Sequence, residues 1–379
     1  MTFLRNTWIR ITLKTKIIYS TIILACVLSI VFVHHNHGLY ERPIAKVIET
    51  SLEDVQEMTD VHQNEDRLFT QHIKAELKNG PYKGEMIYLK NDYSFSGAYD
   101  QKYDIGNELF VSWNEDKQET EERTGAIHDV KRDTYMMYVF WIFMFTLLLV
   151  GKKQGFFSVV SLAVNAVLLA YALDIYVKYP NVNLLIICGV TVVLFTVTSL
   201  LLVNGRNEKT YAAIIATLLG TFSALLITYL VMWLTNENGL RYEAMDFLTR
   251  PYQLVFMAGL FIGSLGAVMD VAITMSSSIF ELYEKDPHIK NEALKKSGLD
   301  IGKDIMGTMT SILFFAYVSG TMPMLILYLK NATALNFALS LNLSLEFARA
   351  LAGGIGIVLA IPFGLYVSIF FVNRKRAKI

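Results

Sequence analysis

Cysteine is scarce: the 379 residues hold two, Cys26 and Cys188, and both sit inside apolar runs. A disulfide framework is excluded, so any outer domain must fold without one. Charge is also scarce, at 18% Asp, Glu, Lys and Arg, and it balances at 34 basic against 34 acidic residues. With no net positive charge, the chain offers no electrostatic footprint for nucleic acid. No histidine lies within the long apolar runs, which argues against haem ligation in a bilayer. Phosphate-loop, G-x-S-x-G, H-E-x-x-H and C-x-x-C motifs are missing, so nothing supports ATP-driven work by this chain alone. Gly353-Gly354-Ile355-Gly356 lies inside an apolar run with no strand before it, and does not read as a phosphate loop. Aromatic residues, by contrast, are plentiful (23 Phe, 20 Tyr and 4 Trp), which excludes intrinsic disorder.

What dominates is apolar sequence, in runs of the length a membrane-spanning helix needs, about 20 residues. Eight such runs occur, at 17–33, 134–150, 156–177, 184–203, 211–234, 254–279, 305–329 and 347–372. The first follows Arg5, Arg10, Lys14 and Lys16 and ends at His34-His35 without a small-x-small cleavage pattern, so it reads as an uncleaved anchor. With the N-terminus inside, the inner segments hold 17 Lys and Arg and the short outer segments 5. The positive-inside rule therefore puts both termini in the cytoplasm and residues 34–133 outside. The fold class expected is mainly α, a polytopic helical membrane protein, with a small β-rich outer domain. The domains expected are a tail and anchor at 1–37, the outer domain at 38–125 and a seven-helix membrane domain at 126–379.

Within the outer segment, residues 44–49 and 70–77 alternate, Gly80-Pro81-Tyr82-Lys83-Gly84 signals a turn, 85–89 reads as a strand, 91–96 as a turn and 108–113 as a strand. Several short strands in about 80 residues suggest a barrel of the OB or SH3-like kind. The polar stretch 114–122 reads as a linker. His34, His35 and His37 stand just outside the first run; they are weak candidates for a metal site and otherwise form a polar collar.

Ionisable groups inside a membrane are costly and are functional candidates. In the sixth run, Gly259, Gly263, Gly266 and Asp270 recur at spacing four, three, four, and Thr274, Ser277 and Glu281 continue the series. One face is thus small in its outer half and polar in its inner half. In the seventh run, Asp300, Asp304, Thr308 and Ser311 share a face. A short connection makes the two helices neighbours, so the polar stripes can line one cleft. Its oxygen groups suit protons, Mg, Ca or Mn. For Asp300, Asp304 and Glu281 a second reading stays open, as solvated or helix-capping carboxylates. No cap explains Asp270. Asp174 with Lys178, and Glu346 with Arg349, read as structural pairs. Asn165 reads as interhelical glue. Ala348, Ala352, Gly356, Ala360 and Gly364 form a packing seam, with a kink expected at Pro362.

The stretch Gly266-Ala-Val-Met-Asp270-Val-Ala resembles the signature of the YibE/F-like family of bacterial membrane proteins, as do Ser277-Ser278, Glu281-Leu282, Ser297-Gly298 and Ile301-Gly302-Lys303-Asp304-Ile305-Met306-Gly307-Thr308-Met309. Lys303 stands where that pattern more often has Arg. The resemblance implies the bacterial cytoplasmic membrane and no established reaction. The reading expected first is a permease or exporter component with Asp270 as its cation or proton site. The alternative is a membrane-anchored interaction protein whose outer domain binds a partner or envelope component. A membrane enzyme using Asp270 and Asp304 ranks last, so the chain is expected not to be an enzyme. No cofactor is expected; the lipid bilayer is the partner, and small-residue faces permit a homo-oligomer or a related membrane subunit.

Overall fold

A computed structural model describes residues 13–97, 100–113, 123–179, 181–245 and 251–377. The chain divides into two compact units, Met1–Thr146 and Leu147–Ile379. Among the described residues, seven helices are long and apolar enough to cross a membrane.

The first unit holds helix α1 (Leu13–His35) and five strands: β1 (Ile44–Thr59), β2 (Glu65–Leu77), β3 (Met86–Ser94), β4 (Glu108–Ser112) and β5 (Thr124–Val130). They close a barrel in the order β1-β2-β3-β5-β4. Every pairing is antiparallel except β3 with β5, which pair in parallel at Tyr88↔Thr124 and Leu89↔Gly125. Alternation drives the closure: Ile73, Ala75 and Leu77 of β2, Ile87 and Leu89 of β3, and Leu109 and Val111 of β4 all bury inward. Gly125 sits at the parallel seam because a Cβ there would lie 2.8 Å from Ile87 Cδ1 and 2.5 Å from the Ser112 carbonyl. Three expectations change. The first two strands extend to 59 and back to 65, the third runs through the turn expected at 91–96 as far as Ser94, and β5 crosses the boundary placed at 125. The linker reading at 114–122 lies outside the described residues.

At the barrel base, the side chain of Lys131 is fully buried. Its ammonium lies 3.1 Å from Glu108 and 3.0 Å from Asp133. It also donates to the Val33 carbonyl at the end of α1, at 2.9 Å. Asp133 opens helix α2 (Asp133–Lys178) and accepts from Asn36 and Tyr40. His37 bonds Glu108 at 2.9 Å. Burial works to lower Lys131, but its two carboxylates outweigh that and raise it above its ordinary 10.5. Burial works to raise Glu108, but His37 and Lys131 outweigh that and hold it below its ordinary 4.5. A carboxyl depressed by folding contributes stability that is complete above its unfolded value and is lost as pH falls through the folded one. The raised lysine contributes below 10.5 and fades only in alkali. Barrel stability is therefore expected to fall as pH drops below 4.5, and melting curves of Glu108→Gln are expected to show a weaker acid dependence than wild type.

The three collar histidines do not converge. His34 and His35 bond the Ile30 and Val31 carbonyls of their own helix, while His37 is taken by Glu108. Among the described residues, no group of three or more His, Cys, Asp or Glu is placed to hold a metal ion.

In the second unit, α2 breaks at Lys152, where φ is 47° and ψ −120°. Gly155 packs against the backbone of Leu147, which a continuous helix would hold about 12 Å away along its axis. The apolar runs 134–150 and 156–177 flank this break. Four other expectations have a direct geometric counterpart. Lys178 pairs with Asp174 at 2.8 Å. Arg349 pairs with Glu346. Asn165 donates to Ser199 at 2.7 Å across to α3 (Leu184–Asn204). Gly356 packs 2.8 Å from Val268 and 3.3 Å from Ala224, measured from the Cβ it lacks. The seam thus joins α4 (Glu208–Leu234), α5 (Tyr252–Lys285) and α7 (Leu335–Arg376). Helix α7 continues unbroken through Pro362. The core between them is Val268, Met275 and Ile279 of α5 against Ile357, Ala360, Ile361 and Leu365 of α7.

Candidate functional site

Helix α5 carries two faces. Leu260, Ser264, Val268, Val271, Met275 and Ile279 repeat at helical spacing and are buried in the bundle. The opposite face holds Gly259, Gly263, Gly266, Asp270, Thr274 and Glu281, all exposed, with Ser277 half-buried. A Cβ at Gly259 or Gly266 would meet nothing within 4 Å. Among the described residues these two glycines therefore pack against no neighbour, unlike Gly356.

Helix α6 (Asn291–Lys330) runs back beside α5 after residues 286–290. Arg376 of α7 pins that connection, bonding the Ile289 carbonyl and Asn291 Oδ1. Asp304, Gly307, Thr308 and Ser311 of α6 are exposed. Asp300 pairs with Lys303 at 3.3 Å. Two close approaches align α5 with α6, the Tyr317 hydroxyl against Gly263 and Ile279 Cδ1 against Gly298. Counting back along antiparallel helices from these contacts sets Asp270 level with residues 307–310 of α6. Asp304 falls level with residues 273–276, about 4.5–9 Å along the axis from Asp270 at 1.5 Å per residue.

Among the described residues no hydrogen bond or ion pair joins the two stripes. The Thr274 hydroxyl donates to the Asp270 backbone carbonyl at 2.7 Å, and Ser311 to that of Gly307 at 2.8 Å, but no group bonds the Asp270 carboxylate. Two further polar groups of α6 stand apart from these bonds. The Tyr317 hydroxyl and the Thr310 hydroxyl are buried without a hydrogen-bond partner. An unmade bond of that kind costs about 1–3 kcal/mol.

Toward the other end of α6 lies a cavity of about 430 Å³. Its wall includes Thr321 and Tyr328 of α6, Asn342, Glu346 and Arg349 of α7, and Glu243. Arg349 also lies 5.3 Å over the ring of Phe256. Tyr317 lies one helical turn before Thr321 of the cavity wall, and its hydroxyl lies against Gly263 on the Asp270 face. The cavity and Tyr317 have no sequence motif: the Glu346 and Arg349 pair reads as structural, and a tyrosine in an apolar run gives no sign of the glycine it meets.

Two family models match the chain. One, described as YibE/F-like protein, covers residues 139–374, and the other, described as YibE/F family N-terminal domain, covers 38–130. No curated protein and no solved structure matches.

Proposed function

The chain belongs to the YibE/F-like family, and from that premise we propose that it is a permease or exporter component of a bacterial cytoplasmic membrane. It moves a proton or a hard cation along the boundary of α5 and α6. The carrying observation is Asp270, an acid in the middle of a long apolar helix, exposed and bonded to no other side chain. Facing hydrocarbon, such a carboxylate is unstable; it must meet water, a cation, or a second subunit. Gly259 and Gly266 of its face leave room for any of these, and Thr274, Ser277, Glu281, Thr308 and Ser311 supply oxygen ligands toward the inner end. Asp304 extends this inner mouth. The cavity beside Arg349 and Glu346 serves as the opposite mouth, with Tyr317 between. A second copy or a related membrane subunit seated on this face closes the path from lipid.

In this reading the break at Lys152 divides α2 into two spans, giving eight, with both termini in the cytoplasm and the barrel outside. The barrel is of the OB kind, because its strand order closes through a parallel pairing of β3 with β5.

Cysteines placed one at a time at 266, 270, 274 and 308 are expected to react with a water-soluble maleimide in sealed vesicles, while cysteines at Val268 and Met275 are expected to stay unlabelled. Equal, negligible labelling of both sets would mean the stripe is dry, and the path would be lost. The transport step itself is tested by Asp270→Asn, which is expected to abolish flux while leaving the melting temperature unchanged.

A further inference from the structure

The barrel leaves one long strand edge open. Strand β1 pairs with β4 only at Ile44–Lys46, and two further backbone bonds tie Val47 to Gly106 and Asn107. Beyond that point β1 continues for twelve residues, 48–59, paired on its inner side with β2. Among the described residues nothing pairs with its outer side. At 3.4 Å per residue, this edge is about 40 Å long.

The edge is ordered by its own turn. At the tip the Asp60 carboxylate accepts from the backbone N–H groups of His62 and Asn64 and from the Asn64 side chain, each at 2.8 Å. These bonds hold Asp60 below the ordinary carboxylate value. An unpaired row of backbone donors and acceptors is a template for another strand.

Charge and face decide what that strand is. Residues 47–66 contain seven acids and no Lys or Arg, in a chain whose charges balance only as a whole. Glu53 pairs with His72 at 2.7 Å, but among the described residues Glu49, Asp54 and Glu57 form no ion pair. A second copy of the same edge would bring like charges together, and an anionic lipid surface would be repelled. The register sets Leu52 beside Gln71 and Val55 beside Phe69, on one face, and Phe69 stacks on Tyr93 at 5.0 Å. Leu52 and Val55 are 55% and 44% exposed, an apolar strip without cover. Glu49 and Asp54 stand on the other face. We propose that the outer edge of β1 between Ile48 and Thr59 docks an extended segment of another protein in which apolar and basic residues alternate. The backbone ladder gives affinity, and the two unlike faces give register.

The test uses the full chain in non-ionic detergent and three capped, fluorescent decapeptides: alternating Lys-Val, the same composition as a Lys block followed by a Val block, and alternating Glu-Val. Fluorescence anisotropy is expected to show the alternating Lys-Val peptide bound about tenfold tighter than the block peptide, with no binding of the Glu-Val peptide. The triple variant Glu49→Gln, Asp54→Asn, Glu57→Gln is expected to weaken the Lys-Val peptide about tenfold. It alters exposed side chains only, and an unchanged melting curve certifies its fold. Equal binding of the alternating and block peptides would reduce the effect to charge and overturn strand docking. So would unchanged affinity in the triple variant, or a dimer of the wild type that excludes the peptide.

Discussion

Lys131→Met is expected to destabilise the barrel by about 3 kcal/mol. Breaking a buried ion pair by removing one partner costs about 3–5 kcal/mol, because the other charge stays behind. Here two carboxylates are left, and the lower end of that range applies because Glu108 and Asp133 retain 19% and 25% of their exposure. The Lys131 side chain retains none, and its third donor holds the Val33 carbonyl near the end of α1. Thermal unfolding in detergent is expected to show the barrel transition shifted down by roughly 10 °C or more. Lys131→Arg keeps the charge but not the volume, and is expected to recover part of the loss. A transition unchanged in Lys131→Met would mean that the cluster is solvated and ties nothing together.

Gly356→Leu and Gly266→Leu are expected to part company. At Gly356 even a Cβ lies 2.8 Å from Val268 and 3.3 Å from Ala224, so a leucine must push α5 and α4 away from α7. Overpacking of this kind costs about 1–3 kcal/mol, against less than about 1 kcal/mol recovered from replacing a helical glycine. At Gly266 nothing stands within 4 Å, and the same substitution is expected to leave the melting temperature unchanged or slightly raised. Flux divides the pair the other way. Gly266→Leu fills the groove one turn from Asp270 and is expected to slow transport in a protein that folds normally. Loss of stability at both positions would mean that another surface covers the Gly266 face tightly.

The helices were legible because each needs only a run of apolar residues, and 184–203 or 211–234 contain little else. The Asp270 stripe was legible for a related reason: helical spacing alone puts residues seven apart on one face. The rest depends on contacts distant in sequence. Lys131 bonds Val33 across 98 positions, and nothing in the local sequence around either announces the other. The extension of β1 was hidden because Glu53, Asp54 and Glu57 interrupt the alternation of apolar residues, in a strand exposed on both faces where burial imposes no period. The bulge between Leu52 and Asp54 shifts the phase again. That α5 turns its glycines outward and its valines inward was not readable either. Small residues serve equally for helix packing and for open space, and only the positions of α4 and α7 decide between them.

Flux through purified protein in sealed proteoliposomes tests the transport reading most directly. Proton and divalent-cation movement would be followed in parallel for wild type and for Asp270→Asn of equal thermal stability. The account predicts a flux in wild type for a proton or a hard cation, and its loss in Asp270→Asn. Equal flux from both proteins, or none from wild type across the panel of ions, would contradict it.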